Sequence, residues 1–139
     1  MDVRPARAAD IGPIAALDQT AQSDPRRAEE ISRAVSAGGC HVAIVDGSIA
    51  GYAVFRADFF NQGFVWLLGV AENRRRRGVG NALMAAIERA CPTAKLFTST
   101  NRSNTPMRSL LTRRGYTEVG VVDGLDEGDP EVFFMKHLS

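Results

Sequence analysis

Residues 66–83, from Trp66 to Leu83, read as a strand, a basic turn carrying two glycines, and a helix. No other stretch limits the fold as strongly. Trp66, Leu67, Leu68 and Val70 are strand formers. From Val79 onward the apolar residues recur at Leu83, Ile87 and Ala90, a helical spacing. Gly78 and Gly80 fall where the turn becomes the helix. The first amides of a helix have no carbonyl one turn back, and the helix dipole is positive there, so the start of a helix accepts anions. Glycine lets a phosphate approach the backbone. The run Arg74-Arg75-Arg76-Arg77 adds long-range attraction for a polyanion. The stretch therefore predicts a phosphate or pyrophosphate site at Gly78–Asn81.

Two familiar phosphate loops do not match. The chain has no Gly-x-x-x-x-Gly-Lys-Ser/Thr and no full Gly-x-Gly-x-x-Gly. Arg75-Arg76-Arg77-Gly78-Val79-Gly80, preceded by Leu68-Gly69-Val70, instead resembles the acetyl-CoA signature of the GNAT superfamily of N-acetyltransferases. That resemblance implies that the turn amides of Arg75, Arg76, Arg77, Gly78, Val79, Gly80 and Asn81 hold the CoA pyrophosphate. It also implies that backbone groups of Leu68 and Val70 take the pantetheine arm. Competing readings of the arginine run are an ordinary basic turn, a nuclear-localisation patch or an RNA patch. The formal net charge of +1 and the absence of aromatics beside the run speak against nucleic acid.

The remaining elements follow the same order. Val3–Ala6 predicts a short edge strand, because Pro5 cannot donate to a ladder. Asp10 is expected to cap a first helix, and Thr20-Ala21-Gln22-Ser23 to interrupt it. Asp24 and Pro25 then start a second helix that Gly38-Gly39 ends. Residues 40–45 predict a strand, Asp46-Gly47 a hairpin turn, and residues 49–59 its partner. A turn near Asn61-Gln62-Gly63 leads into Phe64–Val70. After the Gly78–Cys91 helix, Pro92 is a stop and Lys95–Thr100 a strand, which makes a parallel pair with a right-handed crossover. Pro106 opens a helix closed by Gly115. Tyr116–Val122 and Glu131–Leu138 are the last strands. Cys40 and Cys91 lack metal-ligand spacing and read as core thiols, and no metal is expected. His41 and His137 read as structural.

Asn104-x-x-Met107-x-x-Leu110-Leu111-x-x-x-Gly115-Tyr116 resembles a second signature of the same superfamily. Together the two motifs imply one domain over residues 1–139 with an α/β (α+β) GNAT acyl-CoA N-acyltransferase fold. That fold has a mixed, mostly antiparallel sheet of about six to seven strands, about four helices, and one parallel pair forming the CoA cleft. Asn104 would contact CoA, or else only shape the turn before Pro106. The implied activity is transfer of acetyl from acetyl-CoA to a primary amine. The alternative is a weak or inactive CoA-binding, regulatory module on the same fold.

Three departures bear on catalysis. Leu111 stands where the superfamily commonly has a tyrosine that protonates the leaving thiolate. Phe64 stands where some relatives have a carboxylate base. Glu72, at the end of the same strand, is then the nearest carboxylate and the candidate base, with a salt bridge to the arginine run as the competing reading. Arg76 replaces a common glycine, which is tolerable if that residue avoids positive φ.

The acceptor is expected to be a small-molecule or peptide amine, drawn by the acidic residues Asp123, Asp126, Glu127, Asp129 and Glu131. A solvated turn explains the same residues. Gln22, Asp24, Phe59, Phe60 and Trp66 are candidates for the acceptor cleft or for core and rim. No signal peptide and no apolar run near eighteen residues is visible, so a cytoplasmic location without nucleic-acid or membrane binding is the default expectation. Homodimerisation through the last two strands is compatible with the pattern.

Overall fold

The computed structural model describes residues 1–138. The strands are β1 (Asp2–Pro5), β2 (Cys40–Val45), β3 (Ser48–Phe59), β4 (Gln62–Val70), β5 (Lys95–Asn101), β6 (Thr117–Val122) and β7 (Glu131–His137). The helices are α1 (Ile11–Leu17), α2 (Gln19–Ser23), α3 (Pro25–Ser36), α4 (Val79–Ala90) and α5 (Thr105–Arg113). The strands form one mixed sheet in the order β1-β2-β3-β4-β5-β7-β6. Its parallel pair matches Gly63, Phe64 and Val65 of β4 with Leu96, Phe97 and Thr98 of β5. The chain divides into two compact units, residues 1–55 with 67–90, and residues 56–66 with 91 onward.

In the first unit, α1 and α3 bury Ile14, Ile31, Ala34 and Val35 with Cys40 and Val42 of β2 and Tyr52 and Val54 of β3. Side chains alternate across a strand, so Gly51 and Ala53 point to the other face. There the start of α4 comes so close that a Cβ on Gly51 would lie 2.8 Å from Val79 Cγ1 and 2.8 Å from the Gly69 carbonyl. A Cβ on Gly69 would in turn lie 2.6 Å from the Tyr52 ring. α3 ends as its glycines predict. Gly38, at φ +78, donates its N–H to Val35 O, and Gly39 donates to Ala34 O.

In the second unit α5 buries Leu111 completely, and β5 and β7 bury Leu96, Thr98, Val132 and Phe134. Gly115, at φ +91, closes α5, with Gly115 N–H on Thr112 O and Tyr116 N–H on Leu111 O. Thr98 Oγ1 donates to the Val65 carbonyl at 3.0 Å, which ties β5 to β4.

Several local expectations change. Residues 20–23 do not interrupt a helix. They form α2, a fifth helix, because Asp18 caps it by accepting from the Ala21 N–H at 3.0 Å. Asp10 does not cap α1 with its side chain. Its carboxylate takes the Arg7 N–H at 2.7 Å and both Arg4 amino groups at 2.7 and 3.1 Å. The β3–β4 turn falls earlier than expected, at Phe60 (φ +50) and Asn61 (φ +63), so Gln62 already lies in β4. Two consecutive positive φ values make the tightest hairpin loop, the same geometry as Asp46-Gly47. Cys40 is a buried thiol that burial pushes up to about 12, whereas Cys91 is only half-buried and bonds to Thr93.

Asp18 is a second buried carboxylate of the first unit. It is buried, it accepts the Tyr52 hydroxyl, and it pairs with Arg27 at 3.0 Å. Burial opposes its charge, but the Tyr52 hydroxyl, the Ala21 amide and Arg27 outweigh that and hold its pKa below the usual range. Burial and the Asp18 carboxylate push the Tyr52 hydroxyl up.

Asp10 makes the fold sensitive to acid. The Arg4 side chain lowers its pKa to about 2. The unfolded chain titrates the same group near 3.9, so it binds the proton first as pH falls. Stability from this pair is therefore complete above about pH 4 and lost as pH falls toward about 2. Urea unfolding at stepped pH should show that loss, and Asp10→Asn should flatten it.

Candidate active site

The basic turn joins β4 to α4 through a short 3-10 turn at Glu72–Arg74. Arg75 has φ −66 and ψ 152, and Arg76 follows at φ +65. This is the dihedral order of a type II turn, whose second central position favours glycine or asparagine. The expectation that Arg76 avoids positive φ is thus overturned. The turn keeps its left-handed residue even though its side chain is arginine. Gly78 is left-handed as well, at φ +80, and a Cβ there would meet nothing within 4 Å. Its φ, not crowding, calls for glycine, and the space beside it is open.

Arg75, Arg76 and Arg77 are exposed. Arg74 is not part of that free group, because it pairs with Asp46 at 3.2 Å. Glu72 is exposed, and this arginine salt bridge goes to Asp46 rather than to it. Val79 is buried against Gly51, which anchors the helix start, while Gly80 and Asn81 complete the first turn of α4. Leu68 and Val70 are half-buried on the last residues of β4. The Ala71 N–H, just beyond them, donates to Ala50 O at 2.8 Å. The first unit therefore brings together Leu68, Val70, Glu72 and every turn residue from Arg75 to Asn81.

Asn104 belongs to the second unit, where its Oδ1 caps α5 by accepting the Met107 N–H at 3.2 Å. Asn101 donates to Asp126 at 2.8 Å. Asp129 accepts the Ser103 N–H at 3.0 Å and the Ser103 hydroxyl at 2.5 Å. Much of the acidic loop is thus spent on holding residues 101–103. Glu131 is placed differently, on β7, where its Oε2 accepts the Ser99 hydroxyl at 2.7 Å. Gln22 and Asp24 stay with the first unit, where Asp24 caps α3 through the Arg26 N–H at 2.9 Å. Phe59, Phe60 and Trp66 lie in the second. Among the described residues no group of three or more His, Cys, Asp or Glu could hold a metal.

The family model described as Acetyltransferase (GNAT) family matches residues 11–116. The chain belongs to the GNAT acetyltransferase family. A solved GNAT-family acetyltransferase from Bacillus cereus is 32% identical over 98% of this chain and 96% of its own, with a TM-score of 0.92. A ribosomal-protein-alanine N-acetyltransferase from Brucella melitensis shares the fold at 20% identity and a TM-score of 0.77, covering 99% of each chain. An N-acetyltransferase from Staphylococcus aureus does so at 18% identity and 0.81, covering 99% of this chain and 98% of its own. No curated protein matches at a significant level.

Within this GNAT chain, Leu111 is fully buried. It has no proton to give, and its burial marks a packing role. Gly51 and the Asp18–Arg27–Tyr52 network carried no sequence signal of their own.

Replacing Arg76 with glycine should relieve the left-handed backbone and stabilise the fold by about 1 kcal/mol in urea unfolding. The same change at Arg75, where φ is −66, should give no such gain.

Proposed function

We propose that this chain is an acetyl-CoA-dependent N-acetyltransferase that passes an acetyl group to a primary amine by direct attack on the thioester. The observation that carries this reading is the β4–α4 turn. It joins a left-handed Gly78 with open space beside it, the first-turn amides of α4, and three exposed arginines. These groups suit a pyrophosphate, since the helix start offers donors and positive potential together. Family membership supports CoA as its owner.

In this reading the amides of Gly78, Val79, Gly80 and Asn81 bind the pyrophosphate, with Arg75, Arg76 and Arg77 neutralising it. The backbone of Leu68 and Val70 lines the pantetheine arm, and the Val70 N–H polarises the acyl carbonyl. Asn104 contributes through its side-chain amide, whose Nδ2 is not used by the α5 cap. A thioester supplies an activated acyl group, so the protein has mainly to orient the amine and accept its proton. The nitrogen lone pair attacks the carbonyl carbon, the carbon–sulfur bond breaks, and the thiolate leaves. Glu72, exposed to solvent, takes the proton from the nitrogen directly or through water.

The buried Leu111 favours one further reading, a CoA-binding module without turnover. Thermal unfolding and an amine panel separate the two. In both readings acetyl-CoA at a hundredfold excess over its dissociation constant should stabilise the fold by about 2.7 kcal/mol. Only the enzyme should release free CoA when amines are added.

Gly80 is the clean position for testing the turn. Substitution at Gly78 is strained whatever the space, whereas Gly80 is helical and any residue can adopt its backbone. Gly80→Leu should leave the protein folded and abolish the stabilisation by acetyl-CoA. An unchanged thermal shift would remove the pyrophosphate assignment. Glu72→Gln should lower the acetylation rate and alter the pH–rate profile. A wild-type profile would exclude it as the base.

A further inference from the structure

In the second unit the two faces of β5 and β7 differ. Leu96, Thr98, Thr100, Val132 and Phe134 are all buried. The residues between them, Phe97, Ser99, Glu131, Phe133 and Met135, are all half-buried. The register puts these on one common face, with Ser99 opposite Phe133, Asn101 opposite Glu131 and Phe97 opposite Met135. Phe64, the parallel partner of Phe97, continues it onto β4.

A half-open sheet face is ordinarily polar, but this one is aromatic. Phe64 lies 4.4 Å from Trp66 and 6.0 Å from Phe133, ring centroid to centroid. Phe59 packs 4.6 Å from Phe64 and 5.5 Å from Phe97. Trp66, the only tryptophan of the chain, remains 38% exposed. The charged groups on this wall sit at opposite ends. The Arg56 guanidinium lies 4.6 Å over Trp66 and is paired with Asp58 at 3.1 Å. Glu131 stands at the other end, next along β7 from Phe133 on the same face. Ser99 holds its Oε2 and leaves Oε1 for another donor.

We propose that this wall binds the acceptor. The ligand is a primary amine whose ammonium pairs with Glu131 and whose ring-sized apolar group lies on Phe133 and Trp66. This deepens the acetyltransferase reading and rests on it for the fate of the amine. Two residues along an antiparallel strand span about 7 Å. A nitrogen two or three carbons from a ring fits that reach. A carboxylate held by a neighbouring hydroxyl is preoriented, so an ammonium gains a charge-assisted bond without ordering the side chain afresh. Phe133, on which Phe59 stacks at 6.4 Å, and Trp66 are only partly covered, so what remains open gains by burial against the ligand's ring. Aliphatic amines satisfy only one half of this site and neutral aromatic alcohols only the other.

Trp66 reports on the wall directly, so binding can be read without turnover. The intact chain is titrated with 2-phenylethylamine, 2-phenylethanol and propylamine while Trp66 emission is followed. A saturable change is expected with 2-phenylethylamine, at least about tenfold tighter than with either other ligand. Glu131→Gln should remove that advantage over 2-phenylethanol and leave the alcohol's own affinity unchanged. The acetyl-CoA thermal shift of this variant should match the wild type, which shows that it is folded. Equal affinities for amine and alcohol, no response of Trp66, or an unaltered preference in Glu131→Gln would each overturn the proposal. So would a change of Trp66 emission on dilution alone, since the wall would then lie between two copies of the chain. If the amine binds as expected but acetyl-CoA gives no stabilisation, the acetyltransferase reading fails and the wall stands. If acetyl transfer proceeds with no preference for a ring, the reverse holds.

Discussion

The β4–α4 turn is positioned by contacts that leave no room for a methyl group at Gly51. Its carbon would sit 2.8 Å from Val79, the first residue of α4, and equally close to the carbonyl of Gly69. Close packing of this kind is stiff, because protein interiors leave few voids to absorb a shift. Gly69 of β4 itself fits against the Tyr52 ring, so the helix start, β3 and β4 meet at one tight point. Tyr52 is fixed in turn by Asp18, and Asp18 by Arg27 and the cap of α2. A chain of contacts therefore runs from the helices on one face of β3 to the β4–α4 turn on the other. Each link is short-range, and each depends on a residue that a size or charge change would break.

The buried charge in that chain needs its full set of partners. An ionised carboxylate out of water costs several kcal/mol unless it is paired and hydrogen-bonded. Asp18 accepts from a hydroxyl, a guanidinium and a backbone amide together. The arrangement adds little net stability compared with an apolar core of equal volume. It does tie the start of α2 to α3 and β3, since one carboxylate accepts from Ala21, Arg27 and Tyr52.

Much of this fold was legible along the chain because local chemistry and tertiary structure agree there. Asp46-Gly47 is a hairpin by residue type, Gly38-Gly39 and Gly115 end helices as glycines do, and the strand–turn–helix at 66–83 has a period that changes where the structure changes. The two signature motifs carried the family and thereby the strand order. What stayed hidden was set by partners far away in sequence or by local conflict. Tyr52 meets Asp18 across 34 residues, and nothing beside either predicts the other. α2 has five residues and weak periodicity, so only the Asp18 cap reveals it. Phe60 and Arg76 sit at positive φ against their own preference, the former as a bulky, largely exposed side chain. Their backbones are imposed by the strand pairing and by the entry into α4. The β4–α4 turn was readable as a strand–turn–helix, whereas Glu131 could not be separated from its acidic neighbours until the β5–β7 register placed it opposite Asn101.

The two ends of the sheet are finished differently, and this bears on how the protein behaves when concentrated. β1 is only four residues long and carries Pro5, which offers no amide to a stranger. β6 is exposed along its whole length, with Val119, Val121 and Val122 between 40% and 49% accessible. It pairs with β7 alone, so its outer row of backbone groups faces away from the sheet. The register slip between Glu118 and Gly120 bends that row out of the straight line that a second strand would need. An edit that filled Gly120 with a β-branched residue and straightened the bulge would turn this border into a seam.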